Sequence, residues 1–401
     1  MQNASKYLTY MQDSKLNIVL LGANYYGQMA SSQRVHNLFY PLVKAHKISL
    51  YNIVSCRQDV SLVNNTDVEV VSLIQKNRVA NFLSYIHLSR RMLKQWYNKE
   101  AKNIIYHYGY PAIDSYPILL VAQRLGYKIV FDIVENVYAY PTKNISIALR
   151  FKNISKRYFA TRMSTLGDIC FGISDNLVAI CKELTKEQIP VRLLPISADV
   201  EKVYSYKKDA KKKNEITIFY GGSFGQKDGI SYLVDGFAKA WQQDKRLKLY
   251  LTGKIAKESA GELEQYIMQS DAKEAICYLG CLPTEVYYER MANSDILCML
   301  RVNSVFANSG FPFKLGEYLA SGNAVIATRT SDMEKYLTHK QNAYLIQPED
   351  SALIAEAILE LASDAVLRKK IGAAGQSVAK ENFDAPNVSE YLYTNILNIW
   401  R

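Results

Sequence analysis

The sequence is poor in the residues that build disulfide frameworks and metal sites. Its 401 residues include only six cysteines and five histidines. Cys277 and Cys281 form a C-x3-C pair, but no second pair and no nearby histidine completes a zinc site. A disulfide-stapled mini-protein is therefore excluded, and we expect the cysteines to be reduced thiols.

Long apolar runs are also missing. No stretch approaches the roughly 18 uninterrupted apolar residues of a membrane-spanning helix, and residues 1–17 lack the apolar core of a signal peptide. With 49% hydrophobic and 22% charged residues, the composition excludes a disordered chain and a collagen-like repeat. We therefore expect a cytosolic protein, long enough for two ordinary domains.

Charge is abundant but unevenly distributed. The net charge of the whole chain is +11. Residues 1–205 carry 25 Lys and Arg against 14 Asp and Glu, whereas residues 206–401 carry 24 of each kind. The N-terminal half is thus a cation, and this asymmetry predicts that it faces an anionic partner.

Short β-rich runs alternate with helix-length segments from end to end. Strands rich in Val and Ile that do not alternate strictly indicate parallel sheets covered on both faces. The predicted strands are 16–21, 48–54, 67–73, 103–106, 128–133, 168–173 and 191–195, then 215–220, 247–252, 275–279, 295–300, 323–328 and 342–346.

Two series of strands predict two doubly wound α/β domains. The N-terminal domain is expected over 1–205 and the C-terminal domain over 216–385. The charged, apolar-poor residues 206–215 indicate a linker. A final helix over 386–401 is expected to pack back on the N-terminal domain.

Open α/β sheets bind ligands at the carboxyl ends of their strands, so the loops there are candidate sites. The loop GGSFGQKDG (221–229) has four glycines in nine residues and carries Lys227 ahead of an amphipathic segment. Exposed backbone N–H groups and a helix N-terminus favour an anion there. The loop matches neither the P-loop nor the dinucleotide fingerprint, and a glycine-rich turn with a solvated lysine explains it as well.

A second candidate loop is SGFPFKLGEYLASG (309–322), which carries Lys314 and Glu317. Glu317 falls among apolar neighbours, where a surface acid is less expected. A carboxylate in a cleft can bind a vicinal diol through two hydrogen bonds. The alternative is a favourable interaction with the helix dipole.

These two loops, together with LTGK, YLGCLPTEVYYERMANSDI and NAYLIQPEDSALIAEAILEL, resemble the C-terminal domain of glycosyltransferase family 4. The first half is similar more loosely, through KLNIVLLGANYYGQMASSQRV, KIVFDIVENVY, DICFGISDNL and LPISADVEKV. Members of that family are retaining transferases of the GT-B fold, in which two Rossmann-like domains face each other across a cleft. The resemblance implies transfer from a UDP- or GDP-sugar to a lipid-linked or saccharide acceptor. The expected pathway is bacterial cell-envelope polysaccharide synthesis, as capsule, O-antigen or exopolysaccharide.

The resemblance also implies residue roles. Gly221 and Gly222 would approach the donor pyrophosphate, Lys227 would neutralise it, and Glu317 would hold the ribose hydroxyls. Gly310, Phe311 and Pro312 would present backbone amides, Leu282 would contact the nucleobase through its backbone, and Gly27 would close over the reacting centre. The donor-binding set is Gly27, Gly221, Gly222, Ser223, Lys227, Lys254, Leu282, Ser309, Gly310, Phe311, Pro312, Lys314 and Glu317.

Three positions depart from the family pattern. Ser309 stands where the first of two glutamates eight residues apart is often found, and Gly222 replaces a common arginine. Val134 replaces a histidine often present after strand 128–133, which leaves Asp132 and Glu135 as polar candidates. The catalytic candidates are Lys227, Glu317, Asp132, Glu135 and His107, although a lone histidine also fits a structural role.

No metal or other cofactor is expected. A departing nucleoside diphosphate develops negative charge, which lysines, helix N-termini and backbone amides can stabilise without a metal ion. Metal-dependent transferases usually hold their cation with an Asp-x-Asp motif, and the sequence contains none.

The segment 136–167 contains six basic residues and no acid, with apolar residues interleaved. From Arg150, Lys152, Lys156 and Arg157 we predict a cationic surface that meets anionic lipid or a lipid-phosphate acceptor. The expected location is therefore cytoplasmic and peripheral, on the inner face of the cell membrane.

Two other functions remain open. Some sugar-nucleotide epimerases share the GT-B architecture, although few acid–base side chains are available here for that chemistry. A non-catalytic partner subunit is suggested by Ser309 and Val134. Nucleic-acid binding is the least favoured function, and no nucleic-acid partner is expected.

Overall fold

The computed structural model describes residues 15–26, 29–56, 68–74, 78–140, 145–208, 214–225, 227–253 and 257–401. The chain divides into two compact units. The first unit comprises Met1–Pro195 with Ala385–Arg401, and the second comprises Ile196–Asp384.

The first unit is built on a parallel sheet. Its strands are β1 (Leu16–Leu21), β2 (Ile48–Cys56), β3 (Val68–Ile74), β4 (Lys102–Tyr108), β5 (Lys128–Ile133), β6 (Ile169–Gly172) and β7 (Val191–Leu193). They lie in the order β3-β2-β1-β4-β5-β6-β7. Its helices are α1 (Ala30–Ala45), α2 (Arg78–Trp96), α3 (Tyr116–Leu125), α4 (Ile147–Ala160), α5 (Met163–Leu166) and α6 (Asp175–Thr185), with a 3-10 turn at Val137–Ala139.

The second unit repeats this plan. Its strands are β8 (Ile216–Gly221), β9 (Leu247–Thr252), β10 (Ile276–Tyr278), β11 (Ile296–Met299), β12 (Ala324–Thr328) and β13 (Tyr344–Ile346), in the order β10-β9-β8-β11-β12-β13. Its helices are α7 (Val200–Ser205), α8 (Ile230–Gln243), α9 (Lys257–Gln269), α10 (Thr284–Ala292), α11 (Val305–Ser309), α12 (Lys314–Ala320), α13 (Met333–Tyr336), α14 (Ser351–Ser363) and α15 (Ala365–Asn382), with a 3-10 turn at Lys273–Ala275.

The fold class predicted from the sequence is confirmed. Every predicted strand is present, and all strand pairs of both sheets are parallel. The central strands are apolar on both faces, as in β1, where all six side chains are buried. This pattern follows from helices covering both faces of a parallel sheet. The protein therefore contains two doubly wound α/β domains.

The boundary between the units differs from the predicted one. Residues 196–208 belong to the second unit, so the chain changes unit at Pro195 rather than in 206–215. Lys207, in the predicted linker, donates to the carbonyl oxygens of Ser321 and Gly322, both at 3.2 Å, just after α12. A cation at the carboxyl end of a helix is favourable, and this contact anchors the segment.

The last helix, α16 (Ala385–Leu397), belongs to the first unit. Its Leu392 and Ile396 are buried in the core formed with β1 and α1. Ser389 donates to the carbonyl oxygen of Asn37 at 3.1 Å, and Tyr393 stacks on His46 with ring centroids 3.8 Å apart. The C-terminal end of the chain thus completes the N-terminal core.

A buried ion pair joins α1 to the centre of the first sheet. The Arg34 guanidinium donates to both carboxylate oxygens of Asp132, at 2.6 and 2.8 Å, and to the carbonyl oxygens of Leu194 and Pro195. Both side chains are fully buried. Burial by itself lowers the pKa of Arg34, but Asp132 raises it above its ordinary value.

Both oxygens of Asp132 therefore contact Arg34, which gives this carboxylate a structural role, and its catalytic role stays a prediction. The sequence signal for Arg34 is its place beside Val35 and Leu38 on the buried face of α1.

We expect Arg34→Met to lower the free energy of unfolding by about 3–5 kcal/mol, because it leaves the Asp132 carboxylate buried without a partner. Urea denaturation measures the change. Lys128→Met is the control, because it breaks the partly exposed Lys128–Asp168 pair and should cost at most about 1 kcal/mol. Equal losses in the two variants would contradict the assignment.

Candidate functional site

The strand order of the second unit reverses at β8, which lies between β9 and β11. The loops that follow β8 and β11 are hydrogen-bonded to each other. Gly229 N–H donates to the carbonyl oxygen of Leu300 at 3.3 Å, and Val302 N–H donates to that of Lys227 at 3.1 Å. The glycine-rich loop therefore lies at the topological switch point, where open α/β sheets bind ligands.

The loop after β9 continues the same edge. Gly222 N–H donates to the carbonyl oxygen of Thr252, and Gly253 N–H donates to that of Gly280, both at 2.9 Å. Gly253 has φ +140°, and a Cβ there would collide with the carbonyl oxygen of Gly222. Only glycine allows the two loops to approach this closely. Lys254, the predicted donor-binding residue next in the chain, lies outside the described residues, as does Gly27 in the first unit.

Tyr318 connects α12 to the end of β8. Its hydroxyl accepts the N–H of Gly221 at 2.8 Å, and its side chain is fully buried. Burial raises the pKa of this phenol well above its ordinary value, so the hydroxyl stays neutral. The bond fixes the start of the glycine-rich loop relative to the helix that carries Lys314 and Glu317.

Glu317 is a buried carboxylate with 4% of its surface exposed. Tyr288, on α10, donates its hydroxyl hydrogen to Glu317 Oε1 at 2.8 Å. Lys314 lies one helical turn earlier, where burial lowers its pKa while Glu317 and Asp228 oppose that effect. The structure therefore brings together the predicted Lys314, Glu317 and glycine-rich loop, and the half-buried Lys314 ammonium lies 5.0 Å from the centroid of the Tyr287 ring.

Asp228 is a site residue that the sequence analysis missed. Its Oδ2 accepts the Ser223 hydroxyl and the Gly225 N–H, both at 3.0 Å. Burial, together with the nearby Asp228 carboxylate, raises the pKa of the Tyr220 hydroxyl. Asp228 thus closes the glycine-rich loop on itself. The sequence signal for Asp228 was an acidic residue inside a glycine-rich loop whose backbone amides and lysine favour an anion.

Two more cations belong to this region, one inside the glycine-rich loop and one beside it. Lys227 is half-buried, and its ammonium lies 5.1 Å from the centroid of the Phe306 ring. Arg301 is buried, and its backbone forms an antiparallel bridge with Asp228. Its Nη1 donates to the carbonyl oxygen of Ala307 at 3.0 Å. The sequence analysis also missed Arg301, which lies two residues after the end of β11, at the switch point.

The segment Ser309–Pro312 is buried. The Ser309 hydroxyl donates to the carbonyl oxygen of Val305 at 2.6 Å, within its own helix. The Phe311 ring packs 5.5 Å from Tyr336 in the core. The side chains of this segment therefore serve packing, which leaves the backbone as its possible ligand-binding part. Leu282 is half-buried in the turn before α10.

His107, at the end of β4 in the first unit, is a structural residue. It is 3% exposed, and its Nδ1–H donates to the carbonyl oxygen of Gly109 at 2.8 Å. Burial lowers its pKa to about 4, so the ring is neutral at neutral pH. Glu135 is half-buried, and burial together with this carboxylate raises the pKa of the Tyr140 hydroxyl.

The predicted cationic surface is only partly available. Arg157 is turned inward and donates to the carbonyl oxygens of Val137, Tyr138 and Tyr140. The Lys156 ammonium lies 4.7 Å from the Tyr140 ring centroid, and burial lowers its pKa. Lys152 is exposed, 3.8 Å from a carboxylate oxygen of Asp114. Arg150 is exposed.

No group of three or more His, Cys, Asp or Glu residues in the described part of the chain could hold a metal ion. None of its helices is long and apolar enough to cross a membrane.

We expect His107 to make stability depend on pH between about 4 and 6.5. The folded pKa is depressed, so the unfolded state binds more protons in this window, and stability falls as the pH falls. The effect amounts to about 3 kcal/mol. His107→Asn should flatten this slope in denaturation measured at several pH values, whereas His87→Asn, at an exposed histidine, should not. An unchanged slope in His107→Asn would contradict the assignment.

Comparison with known proteins connects this geometry to a family. The family model of glycosyl transferases group 1 matches residues 205–378, which lie within the second unit. An uncharacterized glycosyltransferase of Methanocaldococcus jannaschii is 24% identical over 315 residues, covering 70% of this chain and 82% of that protein. A phosphatidyl-myo-inositol mannosyltransferase of Mycobacterium leprae is 24% identical over 166 residues, covering 41% and 42%.

Among solved structures, Anabaena HepE in complex with UDP and glucose superposes with a TM-score of 0.74 and 13% sequence identity, covering 96% of this chain and all of that one. This likeness establishes the fold. Residues 205–378 therefore form a glycosyl transferases group 1 domain, and the chain is a glycosyltransferase with the two α/β domains of the GT-B class.

Proposed function

We propose that the enzyme transfers a sugar from a UDP- or GDP-sugar to a lipid-linked or saccharide acceptor, with retention of the anomeric configuration. The observation that carries this proposal is the cluster of Lys314, Glu317 and the glycine-rich loop at the switch point of the second sheet. The UDP and glucose bound by HepE support a nucleotide-sugar donor. The name of the Mycobacterium leprae mannosyltransferase supports a lipid acceptor. Retention rests on the resemblance to glycosyltransferase family 4.

In this proposal the second unit binds the nucleotide. Glu317 accepts hydrogen bonds from the ribose hydroxyls, and the Tyr288 hydroxyl keeps its carboxylate oriented. The Gly221 and Gly222 region approaches the diphosphate. Leu282 lies beside the nucleobase, and the backbone of Gly310–Pro312 lies beside the phosphate or sugar.

The leaving group is stabilised by cations of this chain. The bond between the sugar C1 and the diphosphate oxygen breaks, the acceptor oxygen bonds to C1, and the acceptor proton leaves with the diphosphate. Lys314 and Lys227 face the charge that develops on the diphosphate, together with the N-terminus of α8. Because Lys314 is half-buried, water screens its interaction with that charge less than it would at an exposed position. Asp228 keeps the loop in shape through Ser223 and Gly225.

The pathway belongs to the same proposal. A lipid-linked acceptor agrees with bacterial cell-envelope polysaccharide synthesis and with a peripheral location on the cytoplasmic face of the membrane. The reaction is proposed to need no metal ion, because the sequence has no Asp-x-Asp motif.

The direct test incubates the protein with UDP- and GDP-sugars and a panel of saccharide and lipid-linked acceptors, in the presence of EDTA. We expect release of nucleoside diphosphate together with a glycosylated product, whose anomeric configuration is read by NMR.

Three outcomes would contradict the proposal. Isomerised donor with its nucleotide bond intact would indicate an epimerase. Absence of donor binding by calorimetry would indicate a partner subunit. Activity lost in EDTA and restored by Mg²⁺ or Mn²⁺ would overturn the metal-free chemistry.

Glu317→Gln should weaken nucleotide binding by about 10- to 100-fold, because it removes a charge-assisted hydrogen bond of about 1.5–3 kcal/mol. Calorimetric titration with the free nucleoside diphosphate measures the affinity, and thermal unfolding checks the fold. Glu264→Gln, at an exposed position of α9, is the control. Equal affinities in wild type and Glu317→Gln would refute the ribose assignment.

A further inference from the structure

Helix α4 (Ile147–Ala160) is amphipathic in the reverse sense of an ordinary surface helix. Its buried side chains are small or polar, namely Asn153, Ser155 and Ala160. Most of its large apolar side chains are exposed, namely Ile147, Leu149, Phe151, Ile154 and Tyr158, whereas Phe159 is half-buried and stacks on Tyr116. A surface helix of a globular domain normally turns its apolar face to the core, so the outward face of α4 requires a partner.

Four of these residues form one row. Ile147, Phe151, Ile154 and Tyr158 follow the spacing i, i+4, i+7 and i+11, which brings them to the same side of the helix. We call this row the α4 stripe. Its exposure ranges from 47% at Ile154 to 87% at Ile147. Single exposed apolar residues are common on proteins, but a continuous row marks an interaction surface.

The charged side chains of α4 and of its flanking segments are basic, although the Asp114 carboxylate lies 3.8 Å from the Lys152 ammonium. No Asp or Glu occurs between Glu135 and Asp168. Arg150 and Lys152 are exposed on the same helix. At the end of the stripe, Arg162 Nη2 donates to the Tyr158 hydroxyl at 2.7 Å, and the guanidinium carbon lies 4.9 Å from the ring centroid.

We propose that the α4 stripe inserts into the surface of an anionic lipid bilayer, with α4 lying in the membrane plane. The apolar side chains enter the boundary between headgroups and acyl chains, while Arg150, Lys152 and Arg162 meet lipid phosphates. The inference rests on the peripheral membrane location given under the proposed function and deepens it, but it does not depend on the transfer reaction.

Charge complementarity favours an anionic lipid bilayer as the partner of the α4 stripe. A row of apolar side chains edged by cations matches a bilayer with anionic headgroups, where basic side chains extend toward the phosphates. Two copies of the chain meeting through this face would instead bring Arg150 and Lys152 close to their equivalents. That arrangement is unfavourable because like charges repel.

The first experiment measures co-sedimentation with vesicles of phosphatidylcholine alone or mixed with phosphatidylglycerol. The wild-type protein should bind the mixed vesicles. The double variant F151S/I154S should reduce the partition coefficient at least about tenfold, because it removes the inserted apolar groups. The matched control is M268S/V366S, which changes two exposed apolar residues of the second unit and should bind like wild type.

The salt dependence of vesicle binding separates the contribution of the basic side chains from that of the inserted apolar side chains. R150Q/K152Q should weaken binding at low salt by about fivefold for each charge removed. At high salt the charges are screened, so the binding that remains in wild type should be retained by R150Q/K152Q and lost in F151S/I154S.

Insertion itself can be observed with Phe151→Trp. Its fluorescence should shift to shorter wavelength on mixed vesicles and be quenched by brominated lipid. Quenching that is absent, or vesicle binding that F151S/I154S leaves unchanged, would overturn the inference. Self-association of the wild type that F151S/I154S abolishes, without vesicle binding, would identify a protein interface instead. None of these readouts uses the transfer reaction, so a failure here leaves the proposed transfer reaction standing.

Discussion

The candidate site depends on one hydrogen bond, between the Gly221 N–H and the Tyr318 hydroxyl. Gly221 ends β8, and Tyr318 is buried in the middle of α12, so the bond joins the glycine-rich loop to the helix that carries Lys314 and Glu317. A buried amide left without a partner costs about 1–3 kcal/mol. Separating the helix from the loop would therefore cost about this much free energy, which favours one relative position of the two.

Buried charges serve different purposes in the two units. In the first unit, Arg34 and Asp132 neutralise each other, and the Arg34 guanidinium also donates to two backbone carbonyl oxygens. In the second unit, the Lys314 ammonium lies among carboxylates that oppose the effect of burial on its pKa. Electrostatic interactions are strong in such a poorly hydrated site. An arriving diphosphate would meet a cation that the fold already holds in place.

Two helices of similar length illustrate how differently an apolar face can be used. On α8, Leu233, Val234 and Phe237 are buried in the core of the second unit. On α4, Phe151 and Ile154 point to the outside, and the helix rests on Asn153 and Ser155. The periodicity of both helices is that of an amphipathic helix, so periodicity alone does not reveal which face is covered.

The sequence by itself determined the two parallel sheets, because runs such as KIVFDI and NAVIAT fit only strands buried on both faces. It also placed the glycine-rich loop after β8 and Glu317 early in the helix that precedes β12, because glycine clusters and helix patterns are local features of the sequence.

Only the tertiary structure decided what each polar side chain contacts. Arg34 reaches Asp132 from a position 98 residues away, and Asp228 turns back onto its own loop. Arg157, which the charge pattern assigned to a surface, folds inward onto three carbonyl oxygens. Such pairings depend on which chain segments meet in space, and local residue patterns carry no record of that.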